Sequence, residues 1–225
     1  MNDPEPARTW WHKARPYTLA ELIADGVVHG IGLLVALVAG GALIVLAAMN
    51  SVTGDMPALV LYVASFVVLL SVSLTFNLWP HTGLRRLWAR LDQAAIFLFI
   101  AGTYTPFLAL MAGAPGADWL AVAVWGTALV GIALKLIVPH RFGRLAIVLY
   151  LAIGWSGVIT FQTLAVTLPA STLTLLIAGG LTYSAGIVFH LWERLKFQNV
   201  VWHVFVVAGA SLHLMAIYSC TVLVA

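Results

Sequence analysis

The chain has 225 residues, of which 62% are hydrophobic and only 8% charged, with a net charge of +3. So apolar a chain leaves no room for a soluble domain beside membrane-spanning segments, and its basic residues sit in short loops, not in the stripe that would grip nucleic acid. The single cysteine, Cys220, allows no intramolecular disulfide and reads as a small packing residue.

Residues 1–27 are polar and interrupted by prolines and acidic groups, unlike a cleavable signal peptide. They read as a cytoplasmic or interfacial segment ahead of a membrane domain over residues 28–225. Trp10, Trp11 and Tyr17 suit the headgroup boundary. Thr18 followed by Glu21 has capping-box spacing and predicts a helix start near Leu19. Seven apolar segments follow, over residues 28–48, 58–78, 94–111, 119–138, 145–164, 172–191 and 200–223. Each is close to the ~20 residues that cross ~30 Å of hydrocarbon. The fold expected is an all-α membrane protein, a seven-transmembrane-helix bundle.

Between the second and third segments, Leu84, Leu87, Trp88 and Leu91 recur at helical spacing while Arg85, Arg86 and Arg90 take another face, predicting a short helix along the membrane surface. Pro106 is expected to bend the third helix. Gly26 and Gly30, Gly40 and Gly41, and Gly179 and Gly180 are expected to let helices approach closely.

All eleven Lys and Arg residues can be assigned to one side of the membrane. Arg8, Lys13 and Arg15 precede the first span; Arg85, Arg86 and Arg90 precede the third; Lys135, Arg141 and Arg144 flank the fourth and fifth; Arg194 and Lys196 separate the last two. The positive-inside rule then places the N-terminus in the cytoplasm and the C-terminus outside. Trp10, Arg86, Arg141 and Lys196 are expected inside, and Asp55, Asp118 and Ala225 outside.

Polar side chains inside spans are costly and normally face the bundle interior, which makes them functional candidates. Glu21, Asp25 and His29 recur every four residues, on one helix face. Ser73 and Asn77 are one turn apart at the end of the second span, and Asp92 and Gln93 open the third. Asn199 and His203 open the seventh, again one turn apart, with His213 about 15 Å deeper on nearly the same stripe. Their shared depth predicts one polar pocket. Taken singly, Glu21, His190 and Asn199 fit equally well as helix-end residues in reach of water. His213 fits a helix-to-helix hydrogen bond as well as a catalytic or transport role.

The run SLTFNLWPHTGLRRLWARLDQAAIFLFIAGTYTPF, the lead-in ELIADGVVHGIG and the closing FQNVVWHVFVVAGASLHLMAIY resemble the bacterial hemolysin III proteins of the progestin and adipoQ receptor superfamily. The resemblance spans essentially the whole chain. It implies a multi-pass protein of the bacterial inner membrane, related to proposed membrane hydrolases, with zinc near the cytoplasmic face. It further implies zinc ligands from a Ser-x3-His motif ending the second helix and a His-x3-His motif opening the seventh, with an Asp on the third holding water. Carried over, Ser73, Asp92 and His203 match. Asn77 and Asn199 stand where the family has zinc-binding histidines, and Gln93, just after the Asp, stands at a further position where it commonly carries a histidine.

An amide oxygen is a poor substitute for imidazole, so no metal cofactor is expected unless His29 or His190 completes a different site. The expected function is a metal-free polar pocket in the cytoplasmic leaflet, serving membrane-lipid homeostasis or lipid sensing, with membrane lipid as partner. One alternative is a lipid amide or ester hydrolase in which Asp92 and His203 activate water, near Ser73, with Asn77 or Asn199 stabilising an oxyanion. Another is a proton- or ion-coupled transporter with Glu21, Asp25, His29, His203 and His213 as a relay. The sequence identifies no protein partner.

Overall fold

The structure, a computed structural model, describes residues 17–50, 56–78, 83–138 and 143–222. Arg8, Trp10, Trp11, Lys13, Arg15, Asp55, Arg141 and Ala225 lie outside these residues. Among the described residues, seven helical spans are long and apolar enough to cross a membrane. They comprise α1 (Leu19–Met49), α2 (Met56–Leu78), α3 (Arg85–Leu110), α4 (Ala117–Ile137), a fifth span split into α5 (Gly143–Gly154) and α6 (Phe161–Thr167), α7 (Ala170–Leu191) and α8 (Gln198–Thr221). In packing order the helices run α7, α8, α1, α2, α3, α4, α5. The starts of α1, α3, α5 and α8 and the ends of α2, α4 and α7 share one end, here the basic end.

Thr18 and Glu21 form the capping box: the Thr18 hydroxyl accepts from the Glu21 N–H, and the Glu21 carboxylate accepts from the Thr18 N–H at 2.9 Å. The helix therefore begins at Leu19, ahead of the apolar run at residue 28, and carries Glu21 and Asp25 into the bundle. Their face continues as His29, Gly32, Ala36, Gly40, Leu43 and Ala47, all buried, while Ile23, Val27, Ile31, Leu34 and Val38 point outward. That is the 3.6-residue stripe of a helix packed on one side.

The other oxygen of Glu21 reaches across to α8, accepting from the N–H of Phe197 at 2.7 Å. Phe197 has a φ of 58°, a left-handed backbone that turns the chain into α8. Gln198 donates to the carbonyl of His190 at 2.7 Å and accepts from the Tyr17 hydroxyl. Together these bonds satisfy orphan groups at three helix ends and fasten α1, α7 and α8 at the basic end.

Three expectations need correction. Residues 85–91 form the first turns of α3, continuous with the span, and not a separate surface helix. A side chain added at Gly30 or Gly41 would meet open space, whereas Gly40 and Gly179 are close contacts: a Cβ there would lie 2.9 Å from Val63 and 2.7 Å from the His213 ring. The fifth span is interrupted by a 3-10 turn at Ser156–Thr160. Tyr104 of α3 holds the break, its hydroxyl donating to the carbonyl of Gly154 at 2.8 Å and accepting from the N–H of Gly157 at 3.0 Å. A backbone break at membrane depth needs such internal partners.

Candidate functional site

At the basic end the polar side chains converge on one cluster drawn from three helices. Asp25 and His29 come from α1, Ser73 and Asn77 from α2, and Asn199 and His203 from α8; all six are buried. His203 donates from Nδ1 to Asp25 Oδ1 at 2.6 Å, and its Nε2 lies 3.4 Å from Ser73 Oγ. Asn199 Nδ2 donates to Asp25 Oδ2 at 3.2 Å and to Asn77 Oδ1 at 3.0 Å. Asn77 in turn donates to the Ser73 carbonyl at 2.8 Å and lies 3.4 Å from its hydroxyl. Hydrogen bonds to a buried carboxylate fix the orientation of their donors. Asp25 is thus the hub, and His203 is held in one tautomer with Nε2 as acceptor.

His29 packs edge-on against the His203 ring at 4.2 Å. Its Nδ1 donates to the Asp25 backbone carbonyl at 2.8 Å, and its Nε2 is buried with no hydrogen-bond partner. An imidazole whose first nitrogen is anchored and whose second offers an unused lone pair is the arrangement of a metal ligand.

The expectation that no metal cofactor fits this chain is overturned here. Asp25, His29 and His203 each offer a ligand atom, all within 4.8 Å of one another. Asn77 and Asn199, where the resemblance implied zinc ligands, are engaged with each other, and Asn199 also with Asp25. The expectation rested on the amides at 77 and 199 and held only if neither His29 nor His190 completed a different site; packing of α1 against α8 brings His29, with the Asp25 carboxylate, beside His203. His190, the other histidine considered, packs on Trp202 instead.

The cluster opens into a cavity of about 570 Å³. Ser73, Asn77, Asn199, His29 and His203 line its polar end with Asp92 and Gln93, while Leu69, Ile96, Phe99, Leu151, Trp155 and Ile187 line the rest. His213 lies along the same cavity, its Nδ1 donating to the Gly209 carbonyl at 3.1 Å and its ring stacked on Tyr183. It does not touch the Asp25 cluster. Glu21 is turned to the helix caps described above.

Two contributors went unseen in the sequence. Lys135, counted there among the loop charges, is buried in the last turn of α4 and lines the cavity. Tyr150 also lines it, donating to the Gln93 carbonyl at 2.7 Å. The signal for Lys135 was its place within the apolar run; Tyr150 gave none.

Comparison with known proteins agrees with this architecture. The family described as "Haemolysin-III related" matches residues 19–214. The chain belongs to the haemolysin-III-related family. It is 34% identical to the "Hemolysin-3" of Bacillus cereus over 192 residues, 85% of this chain and 88% of that protein. It is also 34% identical to the "Hemolysin-3 homolog" of Bacillus subtilis (strain 168) over 196 residues, 87% and 92% of the two chains. The human "Monocyte to macrophage differentiation factor" is 27% identical over 164 residues, 70% of this chain and 68% of that protein. This haemolysin-III-related chain is a multi-pass bacterial membrane protein.

Proposed function

We propose that this protein is a membrane-embedded hydrolase of acyl amide or acyl ester lipids. The observation that carries the reading is the Asp25–His203 pair, with Oδ1 and Nδ1 2.6 Å apart, at the polar end of a mostly apolar cavity. An imidazole fixed by a buried carboxylate is a general base whose free nitrogen points where a water or hydroxyl is activated. The apolar length of the cavity suits a hydrocarbon chain, and the polar end suits the bond to be cut. Asn77 supplies an amide N–H for the negative charge that develops on the carbonyl oxygen. Asp92, on the wall of the same cavity, adds a carboxylate to its lining.

Asp25, His29 and His203 would hold a zinc ion, since three protein ligands of this kind are the donor set of an open catalytic site. When bound, zinc supplies Lewis-acid polarisation of a carbonyl and acidifies a water molecule. With no ion on the cluster, the protein's own residues orient the lipid and carry the proton at His203. Purified protein in bicelles, given N-acyl and O-acyl amphiphiles, is expected to release fatty acid, and His203→Ala is expected to bring the rate to background. Release by the variant at the wild-type rate would remove His203 from the chemistry.

We further propose that the basic end faces the cytoplasm, placing the site in the inner leaflet; the one-sided Lys and Arg residues support this. In a Cys220→Ser background, Arg86→Cys is expected to react with a membrane-impermeant maleimide only after cells are opened. Asp118→Cys is expected to react in intact spheroplasts. Labelling of both from one side would reject this orientation.

A further inference from the structure

The hydrolase reading does not name the atom that attacks the acyl carbon. Resting on that reading, we propose that Ser73 is the nucleophile of a serine, histidine and aspartate relay completed by His203 and Asp25, and that it passes through an acyl-enzyme. Ser73 Oγ lies 3.4 Å from His203 Nε2, and His203 Nδ1 lies 2.6 Å from Asp25 Oδ1. The three side chains come from α2, α8 and α1, so helix packing, not local sequence, assembles the relay. Ser73 and His203 line the cavity, and Asp25 stands behind His203. The first distance is longer than a reacting hydrogen bond, as is usual before substrate closes the site.

The behaviour of the Ser73 hydroxyl is a second, independent observation. A hydroxyl in a membrane helix ordinarily donates to the carbonyl one turn back. Thr75 does so to Ser71 at 2.7 Å, Thr103 to Phe99 at 2.8 Å and Ser211 to Val207 at 2.8 Å. Ser73 makes no such bond among the described residues. Its hydroxyl faces the His203 ring on one side and the Asn77 amide on the other. The Asn77 N–H, 3.4 Å from Oγ, is an amide donor next to the attacking oxygen, the kind of group that stabilises charge developing on a carbonyl oxygen brought there.

The chemistry balances with water alone. Ser73 Oγ bonds to the acyl carbon as its proton passes to His203 Nε2. The tetrahedral adduct collapses, the C–N or C–O bond breaks, and the amine or alcohol leaves with that proton. Water then gives a proton to Nε2 and its oxygen to the acyl carbon. The Ser73 ester bond breaks, Oγ recovers the proton, and a carboxylic acid departs. A metal ion on Asp25, His29 and His203 draws on the same carboxylate and imidazole, so the relay and the ion are alternative states of one cluster.

The test is to treat the full-length protein in detergent, with chelator present, with a long-chain alkyl fluorophosphonate, and to map the adduct by mass spectrometry. We expect a single adduct on Ser73, at least about tenfold slower to form in His203→Ala, in line with loss of a general base, and absent in Ser73→Ala. Mapping in the wild type depends on no variant's folding. A wild-type protein that hydrolyses acyl lipid yet carries no Ser73 adduct, or a folded Ser73→Ala that hydrolyses at the wild-type rate, overturns the relay and leaves the hydrolase reading standing. If the wild type neither labels nor hydrolyses, both fall.

Discussion

Asp25→Asn is expected to lower hydrolysis by about 10⁴-fold, the scale of losing the carboxylate that orients a catalytic imidazole, while the protein still folds. Asp25 accepts from two donors, His203 Nδ1 through one oxygen and Asn199 Nδ2 through the other. An amide has a single oxygen, so one of these donors then faces an NH₂ group. The conflict is relieved when His203 moves its proton to Nε2 and accepts at Nδ1. That tautomer cannot take a proton from Ser73 or from water. Side-chain shape is preserved, so thermal unfolding should change little while turnover collapses. Wild-type turnover in Asp25→Asn would move the essential carboxylate elsewhere, with Asp92 the first candidate.

Zinc is expected to stabilise the wild-type protein against heat, by about 2.7 kcal/mol at a free concentration one hundred times its dissociation constant, and chelator should reverse the shift. The sign follows from linkage: an ion that binds the assembled cluster, and not the separated helices, favours the folded state. His29→Ala is expected to abolish the shift. That variant is chosen because His29, although it packs on His203 and bonds the Asp25 carbonyl, makes neither of the two hydrogen bonds of the relay, Ser73 to His203 and His203 to Asp25, so it removes an ion ligand and leaves those two bonds their partners. An undiminished zinc shift in His29→Ala would take the ion away from this cluster.

Hydropathy alone located the spans, because ~20 apolar residues in a row have few other uses, and Thr18 with Glu21 marked the true start of α1. The polar cluster was also legible, since Glu21, Asp25 and His29 share one face and Ser73/Asn77 and Asn199/His203 are one-turn pairs. The pairing inside the cluster was not. His203 meets Asp25 because α8 packs on α1, and no periodicity along the chain encodes which helices are neighbours. The expectation of a metal-free pocket failed on the same point. The break at Ser156–Thr160 was hidden because the segment keeps the overall hydropathy of a span and contains no proline; its stability comes from Tyr104, on another helix. Lys135 was hidden by its sequence neighbourhood, near enough to Arg141 to pass for a loop charge.

The central claim is that the Asp25, His203 and Ser73 cluster cuts acyl lipids with water. The most direct measurement is product analysis of purified protein in nanodiscs loaded with an N-acyl or O-acyl lipid, in heavy-oxygen water with chelator or zinc. The account predicts fatty acid carrying one heavy oxygen from the wild type and none above background from His203→Ala. Lipid recovered intact and unlabelled from the wild type under both conditions would contradict it.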